Sequence, residues 1–186
     1  MRRFALALAA LALSACGQNE DAAQSASCNL SATSDIAWTQ SEAGESVTAL
    51  ASGPSCRQAA LLLVVRSAAG DPLWVFASTY DHMTIGAPAP DAPAVTPEQM
   101  EAFLTSWAGV TLSQTSALPQ WRADAATLNE SASVFTYETA LARDAYEAVR
   151  ASDQRMLCYA AGVDSTQCLI TDSVTGAPIL IAAYGP

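Results

Sequence analysis

Lysine is missing altogether: the eight basic residues among 186 are all arginine. That excludes Schiff-base chemistry, a lysine-bearing phosphate loop and a serine–lysine nucleophilic pair. Histidine occurs once, at His82, so a histidine-rich zinc site and the helical His-Glu-x-x-His arrangement cannot be built. There is no Cys-x-x-Cys spacing, which disfavours a zinc ribbon or thioredoxin-type centre, and no Gly-x-Ser-x-Gly elbow or glycine-rich phosphate loop. Positive charge is scarce as well. Eight arginines against 18 acids give a formal charge of −10, which argues against sequence-independent nucleic-acid binding, since that needs a cationic surface to displace counterions. Apolar residues make up 51%, but forty of them are alanine, leaving about 30% in larger side chains, enough for one core in about one domain.

The longest apolar run, Phe4 to Leu13, is ten residues, too short to cross a bilayer and suited to the h-region of a signal peptide behind Arg2 and Arg3. Directly after it stands Leu13-Ser14-Ala15-Cys16. Over residues 1–16 only, the chain resembles the lipobox signals of bacterial lipoproteins; the alternative is an ordinary secretory leader with a coincidental cysteine. The resemblance implies a signal peptide at 1–15, cleavage before Cys16, and acylation of Cys16 by palmitate-type chains. Losing Arg2 and Arg3 would leave 6 basic against 18 acidic residues, a formal −12. Several acyl chains, at about 0.8 kcal/mol per buried CH₂, suffice to hold a protein at a membrane without a spanning helix. Residues 17–27 (GQNEDAAQSAS) are small and polar and read as a tether reaching at most about 35 Å, so that Cys16 and tether occupy 16–27 and one domain 28–186. Gly17, not Asp, follows the cysteine. Within the lipoprotein class this implies the outer rather than the inner membrane, facing the periplasm.

Four further cysteines, Cys28, Cys56, Cys158 and Cys168, are an even number, as expected in an oxidising compartment. Three pairings exist; Cys28 with Cys56 and Cys158 with Cys168 are favoured because each pair is close in sequence.

Apolar, β-branched stretches at Ala59 to Arg66 and Leu73 to Tyr80 flank turn chemistry at 69–72 and predict a buried hairpin. A strand near Ser46 to Ala51 precedes it, and Asp35 to Gln40 is a further strand candidate. Pro88, Pro90, Pro93 and Pro97 predict stiff extended chain over 86–97. Thr96, Pro97 and Gln99 mark a helix start and Gly109 its stop, with Met100, Phe103, Leu104 and Trp107 on one face. A second helix is predicted over Tyr137 to Ala151, with Tyr137, Leu141, Ala145 and Ala148 inward and Glu138, Arg143, Asp144, Glu147 and Arg150 outward. One short strand is expected at Val110 to Gln114. Met156–Ala161, Gln167–Asp172 and Ala177–Tyr184 predict a three-stranded meander. Together these give an α+β domain: an antiparallel sheet of about five to six strands, two helices on one face, and two disulfides.

Chemistry-bearing residues are few. Asp81 and His82, just past a buried strand, are read as loop residues with a structural role, with a general base or a transient metal contact beside Met83 as alternatives. Glu98 and Glu101 begin a helix, where capping and the dipole account for acids, and Glu138, Asp144 and Glu147 read as solvated. Trp74 and Trp107 fall on core faces. Trp38 and Trp121, in irregular stretches, are either tucked into the core edge or presented to a partner. No cofactor and no metal are expected. The function that follows is a lipid-anchored periplasmic protein with a non-catalytic binding or envelope-associated role. Two alternatives remain: an inhibitor of a cationic protein such as lysozyme, steered by negative charge, and a hydrolase using His82. Envelope lysozyme inhibitors are often small disulfide-bearing lipoproteins, a resemblance of composition only.

Overall fold

The computed structural model describes residues 27–39, 44–131 and 135–186. The expected leader, the expected acylation site at Cys16 and the expected tether up to residue 26 lie outside the described residues. Cys28 opens β1 (Cys28–Ile36), followed by β2 (Glu45–Gly53), β3 (Ala60–Arg66) and β4 (Pro72–Thr79). These four form one antiparallel meander in chain order, sheet A. Period-two alternation buries Val47, Ala49 and Ala51 of β2 and Leu61, Leu63 and Val65 of β3 on one face. The short helix α1 (Tyr80–Thr84) follows, and then α2 (Pro97–Ala108). The start of α2 is as expected: the Thr96 hydroxyl accepts from Gln99 N, Gln99 accepts from Thr96 N, and Pro97 opens the first turn. Met100, Leu104 and Trp107 are buried, and α2 lies across β1 and β2.

The second half supplies β5 (Thr111–Gln114), a 3₁₀ turn (Thr115–Ala117), α3 (Leu128–Ser131), β6 (Thr136–Glu138), α4 (Arg143–Ala151), β7 (Arg155–Ala160), β8 (Thr166–Thr171) and β9 (Pro178–Gly185). Its strands form sheet B in the order β5-β7-β8-β9-β6, all antiparallel. Sheet B is covered on both faces. Leu157, Tyr159 and Leu169 join the core of sheet A and α2, while Met156, Cys158, Cys168, Ile170 and Ile181 pack with Leu118, Leu128 and Tyr146 on the other side. Hence β7 is buried at four successive positions instead of alternating.

The α+β class and both disulfides are as expected. Cys28 is bonded to Cys56 and Cys158 to Cys168, the latter pair directly opposed across β7 and β8. Several details differ. The strands divide into two sheets of four and five rather than one, because each strand group is long enough to bury a face against α2 or against the other sheet. The two helices do not share a face: α2 belongs to the first core and Tyr146 of α4 to the second. The predicted second helix starts six residues later than expected. Tyr137 and Glu138 are on β6, paired with β9, and Thr139 Oγ1 donates to Ile181 O at 2.7 Å. On α4 the inward residues are Tyr146 and half-buried Val149, while Ala145 and Ala148 are exposed, since a bulky ring gains far more from burial than a methyl group. Strand β1 ends at Ile36, so the candidate strand from Asp35 is its tail and not a separate element; Gln40 lies outside the described residues.

Candidate functional site

Strand β5 begins at Thr111, opposite Cys158, whereas β7 continues to Ala160. Tyr159 and Ala160 therefore have no neighbouring strand on that side, and sheet B has a notch at its edge. Trp107, in the last turn of α2, fills part of it and donates from Nε1 to Ala160 O at 2.9 Å. What remains is a cavity of about 360 Å³. Phe103 and Trp107 form one wall, with ring centroids 5.6 Å apart. Tyr159 contributes from the floor and Met83 of α1 from the side; Gly162 and Val163, in the turn between β7 and β8, form a lip. Ser106, Thr111, Thr166 and Tyr184 complete the lining with hydroxyl groups.

The polar atoms of the two buried rings are already engaged. Tyr159 OH accepts from Trp74 Nε1 at 3.0 Å and donates to Gln167 Oε1 at 2.6 Å. Burial pushes its pKa up to about 12, so it stays a neutral phenol. Trp107 and Tyr159 are only 5% and 2% exposed, so they back the cavity, and Phe103 is the half-buried ring of that wall. By contrast, Ser106 and Thr111 are exposed and Thr166 and Tyr184 half-buried. The C-terminal end of α2 meets the notch at Gly109, whose N–H donates to Ser106 O, and no basic residue stands in that last turn. The negative end of the helix dipole is therefore uncompensated there. None of the lining side chains is charged. The arrangement is an uncharged, solvent-open cavity whose partly exposed rings are Phe103 and Tyr184.

The residues singled out from the sequence are dispersed around this cavity. His82 is exposed on α1, whose start Thr79 caps by accepting from His82 N at 3.3 Å. A Cβ added to Gly162 would lie 3.4 Å from His82 Nε2 and 2.8 Å from Ser165 Oγ. The imidazole therefore sits against the turn that forms the lip of the notch without lining it. Asp81 is held elsewhere: its carboxylate pairs with Arg57 at 2.7 Å and accepts from Ala89 N at 3.0 Å. Arg57 also donates to Pro93 O at 2.8 Å. The pair clamps the proline-rich segment, which carries no helix or strand between Ile85 and Thr96.

Trp121 belongs to the second core. It is half-buried, edge-on to Tyr146 at 5.9 Å, with the Arg143 guanidinium 5.6 Å from its ring centre. Its Nε1 donates to Ala125 O at 3.2 Å, and its backbone N–H donates to Glu147 at 2.6 Å. Glu147 is thus half-buried and bonded, not a solvated acid. Trp121 also borders a separate groove of about 440 Å³ with Tyr137, Asn129 and Glu138. Trp38 is buried, its turn fastened by Glu45, which accepts from the backbone N–H groups of Trp38 and Thr39.

The remaining titration shifts have structural causes. Glu98 is held below the ordinary carboxylate range by its own backbone N–H and the Thr96 hydroxyl, as a first-turn acid should be. Burial, reinforced by Glu147, raises Tyr146 far above the usual phenol value, and its OH donates to Pro119 O at 2.8 Å. Among the described residues no group of three or more His, Cys, Asp or Glu side chains is arranged to hold a metal ion, and no helix is long and apolar enough to cross a membrane.

The stripe of Met100, Phe103, Leu104 and Trp107 reads in the sequence as core packing, with a ligand-binding aromatic face as the alternative. Its second role depends on where β5 starts relative to the end of β7, a matter of register between strands some forty residues apart. The local trace is the glycine stop at 109 followed at once by a strand that opens on a threonine. Comparison with protein-family models, with curated protein sequences and with solved structures finds no match.

Proposed function

We propose that the chain is a lipid-anchored protein of the bacterial envelope, tethered through Cys16, whose globule binds a ligand in the notch between α2 and β7 and does no covalent chemistry on it. The observation that carries the binding part is the notch itself: a solvent-open cavity of about 360 Å³ at the edge of sheet B, with no charged side chain in its lining. Such a lining suits recognition better than proton transfer, which calls for a group with a pKa near the working pH. The anchor rests on the order of Arg2, Arg3, the apolar run and the Leu-Ser-Ala-Cys box. The disulfides are consistent with the oxidising side of a membrane.

Radiolabelled palmitate supplied to a bacterial host expressing the full chain tests the anchor. The label should enter the wild-type protein, Cys16→Ala should abolish it, and the variant should move to the soluble fraction. Unlabelled, unprocessed wild-type protein inside the cell would sink the assignment. An inhibitor of a cationic protein is kept as a second reading on one observation, the −12 charge of the chain from Cys16 onward. It requires a complex with lysozyme that weakens as salt is added.

A further inference from the structure

Three exposed apolar side chains, Ile85, Val163 and Phe135, surround the notch. Val163 stands on its lip, and Ile85 precedes Gly86, where an added Cβ would lie 3.3 Å from Val163 Cγ1. Tyr184, also in the lining, stacks on Tyr137 with ring centroids 4.9 Å apart and meets Phe135 at 5.7 Å. The same Tyr184 borders a second hollow of about 190 Å³, lined also by Glu138 and Ser165. Asp164 flanks that hollow: a Cβ at Gly185, in its lining, would lie 2.8 Å from Asp164 O. An uncharged cavity with an apolar rim thus adjoins, through one tyrosine, a hollow beside two acids. Exposed apolar surface edged by polar groups marks a contact site for another macromolecule.

Charge selects the partner. Each of the six arginines among the described residues is bound to a carboxylate or a backbone carbonyl of the chain itself, and none lines either hollow. Glu138 and Asp164 are exposed and take part in no ion pair among the described residues. A second copy would bring a formal −10 against −10, and a surface of anionic lipids would be repelled in the same way. A cationic protein is instead drawn in from a distance and meets two carboxylates that no arginine occupies. The notch, at about 360 Å³, lies at the small end of ligand cavities, which run from about 300 to 1,000 Å³. That size suits one anchoring side chain.

We infer that this face docks a cationic protein: an apolar side chain of the partner enters the notch, and an adjacent lysine or arginine lies over the smaller hollow beside Glu138 and Asp164. This rests on the binding function proposed above for the notch and specifies the chemistry of its ligand.

Capped hexapeptides in which phenylalanine, leucine, methionine or tryptophan precedes arginine or lysine in a glycine–serine frame are the probes, titrated by calorimetry into the oxidised Cys16→Ala chain. At least one should bind with Kd on the order of 100 μM or tighter. It should bind about tenfold better than the same peptide with glutamate for the basic residue or serine for the apolar one, and more weakly as salt is added. Val163→Arg should weaken binding about tenfold. Val75→Arg, the same charge change at an exposed site on β4, should weaken it no more than about twofold. Glu138→Gln/Asp164→Asn should weaken it about threefold and flatten the salt dependence. These sites are exposed, so melting temperatures should be kept. A neutral apolar dye, N-phenyl-1-naphthylamine, separates the ways of failing. Dye bound by the parent chain and excluded by Val163→Arg, with no peptide bound, overturns the cationic partner and leaves the binding function standing. Neither probe bound overturns both. Peptide binding that ignores Val163→Arg, or that Val75→Arg weakens equally, overturns the location. A dimer in sedimentation that Val163→Arg dissociates makes a second copy the occupant and overturns the inference.

Discussion

The two disulfides close loops of different length, and that difference fixes an order of stability that can be measured. Cys28 and Cys56 are 28 residues apart, Cys158 and Cys168 only 10. Chain-entropy arithmetic gives about 3.5 kcal/mol for the longer loop and about 2.7 kcal/mol for the shorter. All four sulfurs are buried, with residue exposures of 2% and 5% in the first pair and 6% and 0% in the second, so replacing each pair by alanine removes similar packing from both. The difference between the two variants then reports loop length. In urea, with a slope of about 2 kcal/mol/M, Cys28→Ala/Cys56→Ala should lower the midpoint by about 1.8 M and Cys158→Ala/Cys168→Ala by about 1.3 M. Equilibrium unfolding followed by tryptophan fluorescence, with wild type kept oxidised, measures both. A midpoint unchanged in either variant would mean that the bond does not constrain the unfolded chain; a reversed order would refute the loop-length argument.

Glycines separate backbone from side-chain crowding. A Cβ at Gly53 would lie 2.6 Å from Ala59 Cα and 2.9 Å from Gln58 O, whereas at Gly162 the closest atom is the rotatable Ser165 Oγ. Gly53→Ala should therefore cost about 3 kcal/mol and Gly162→Ala about 1 kcal/mol, and adding Ser165→Ala should relieve only the second, by urea midpoint. Arg57 and Asp81 are both mostly buried, with side chains 15% and 16% exposed. Each single alanine variant should lose about 2 kcal/mol, the double variant clearly less than the sum, and proteolysis within 86–97 should rise; additive losses would show that the pair is not coupled. Asp172 accepts from Thr175 N, Thr175 Oγ1 and Val174 N, and these bonds hold its carboxyl below the ordinary value. A depressed folded-state pKa gives stability that is present above the unfolded value, near pH 4, and lost as pH falls through the folded one. Asp172→Asn should therefore be less stable than wild type at pH 6, with the gap narrowing below pH 4; a constant gap would exclude the titration.

Elements with local punctuation could be read from the chain, and elements held by distant partners could not. Thr96, Pro97, Gln99 and Gly109 are neighbours in sequence that satisfy one another's backbone groups, so α2 could be placed to within a residue. The hairpin of β3 and β4 and the meander of β7 to β9 carry long runs of large apolar residues between turn signals. Strand β1 (CNLSATSDI) alternates in burial, but its inward positions include Ala32 and Ser34, too small to register as a hydrophobic period. Strand β6 is three residues long and exists because β9 accepts it. The start of α4 was obscured by alanines, which fit any face of a helix. For the site, the rings of Phe103 and Trp107 were legible as a stripe. That the stripe borders a cavity was not, because the cavity depends on the absence of a strand beside Tyr159 and Ala160.

The position of the second disulfide bears on the binding proposed for the notch. Cys158 faces Thr111 across β5 on one side and Cys168 across β8 on the other, so it is the last residue of β7 with a strand on both sides. It also lines the notch. The bond to Cys168 fixes the spacing of β7 and β8 where the sheet loses its outer strand, and so restrains Tyr159 and Ala160 before a ligand arrives. Restraint of that kind contributes affinity by reducing the ordering that binding must impose. Cys28 and Cys56 lie outside the lining, at the start of β1 and in the loop after β2. The two bonds should therefore separate stability from binding. Cys28→Ala/Cys56→Ala should lose more stability and leave the notch's affinity for a small-molecule probe unchanged. Cys158→Ala/Cys168→Ala should lose less stability and weaken binding about three- to tenfold. Calorimetry on both variants, well below their melting temperatures, compares them. Equal weakening in the two would trace the effect to general loosening of the globule, and the local argument would fail.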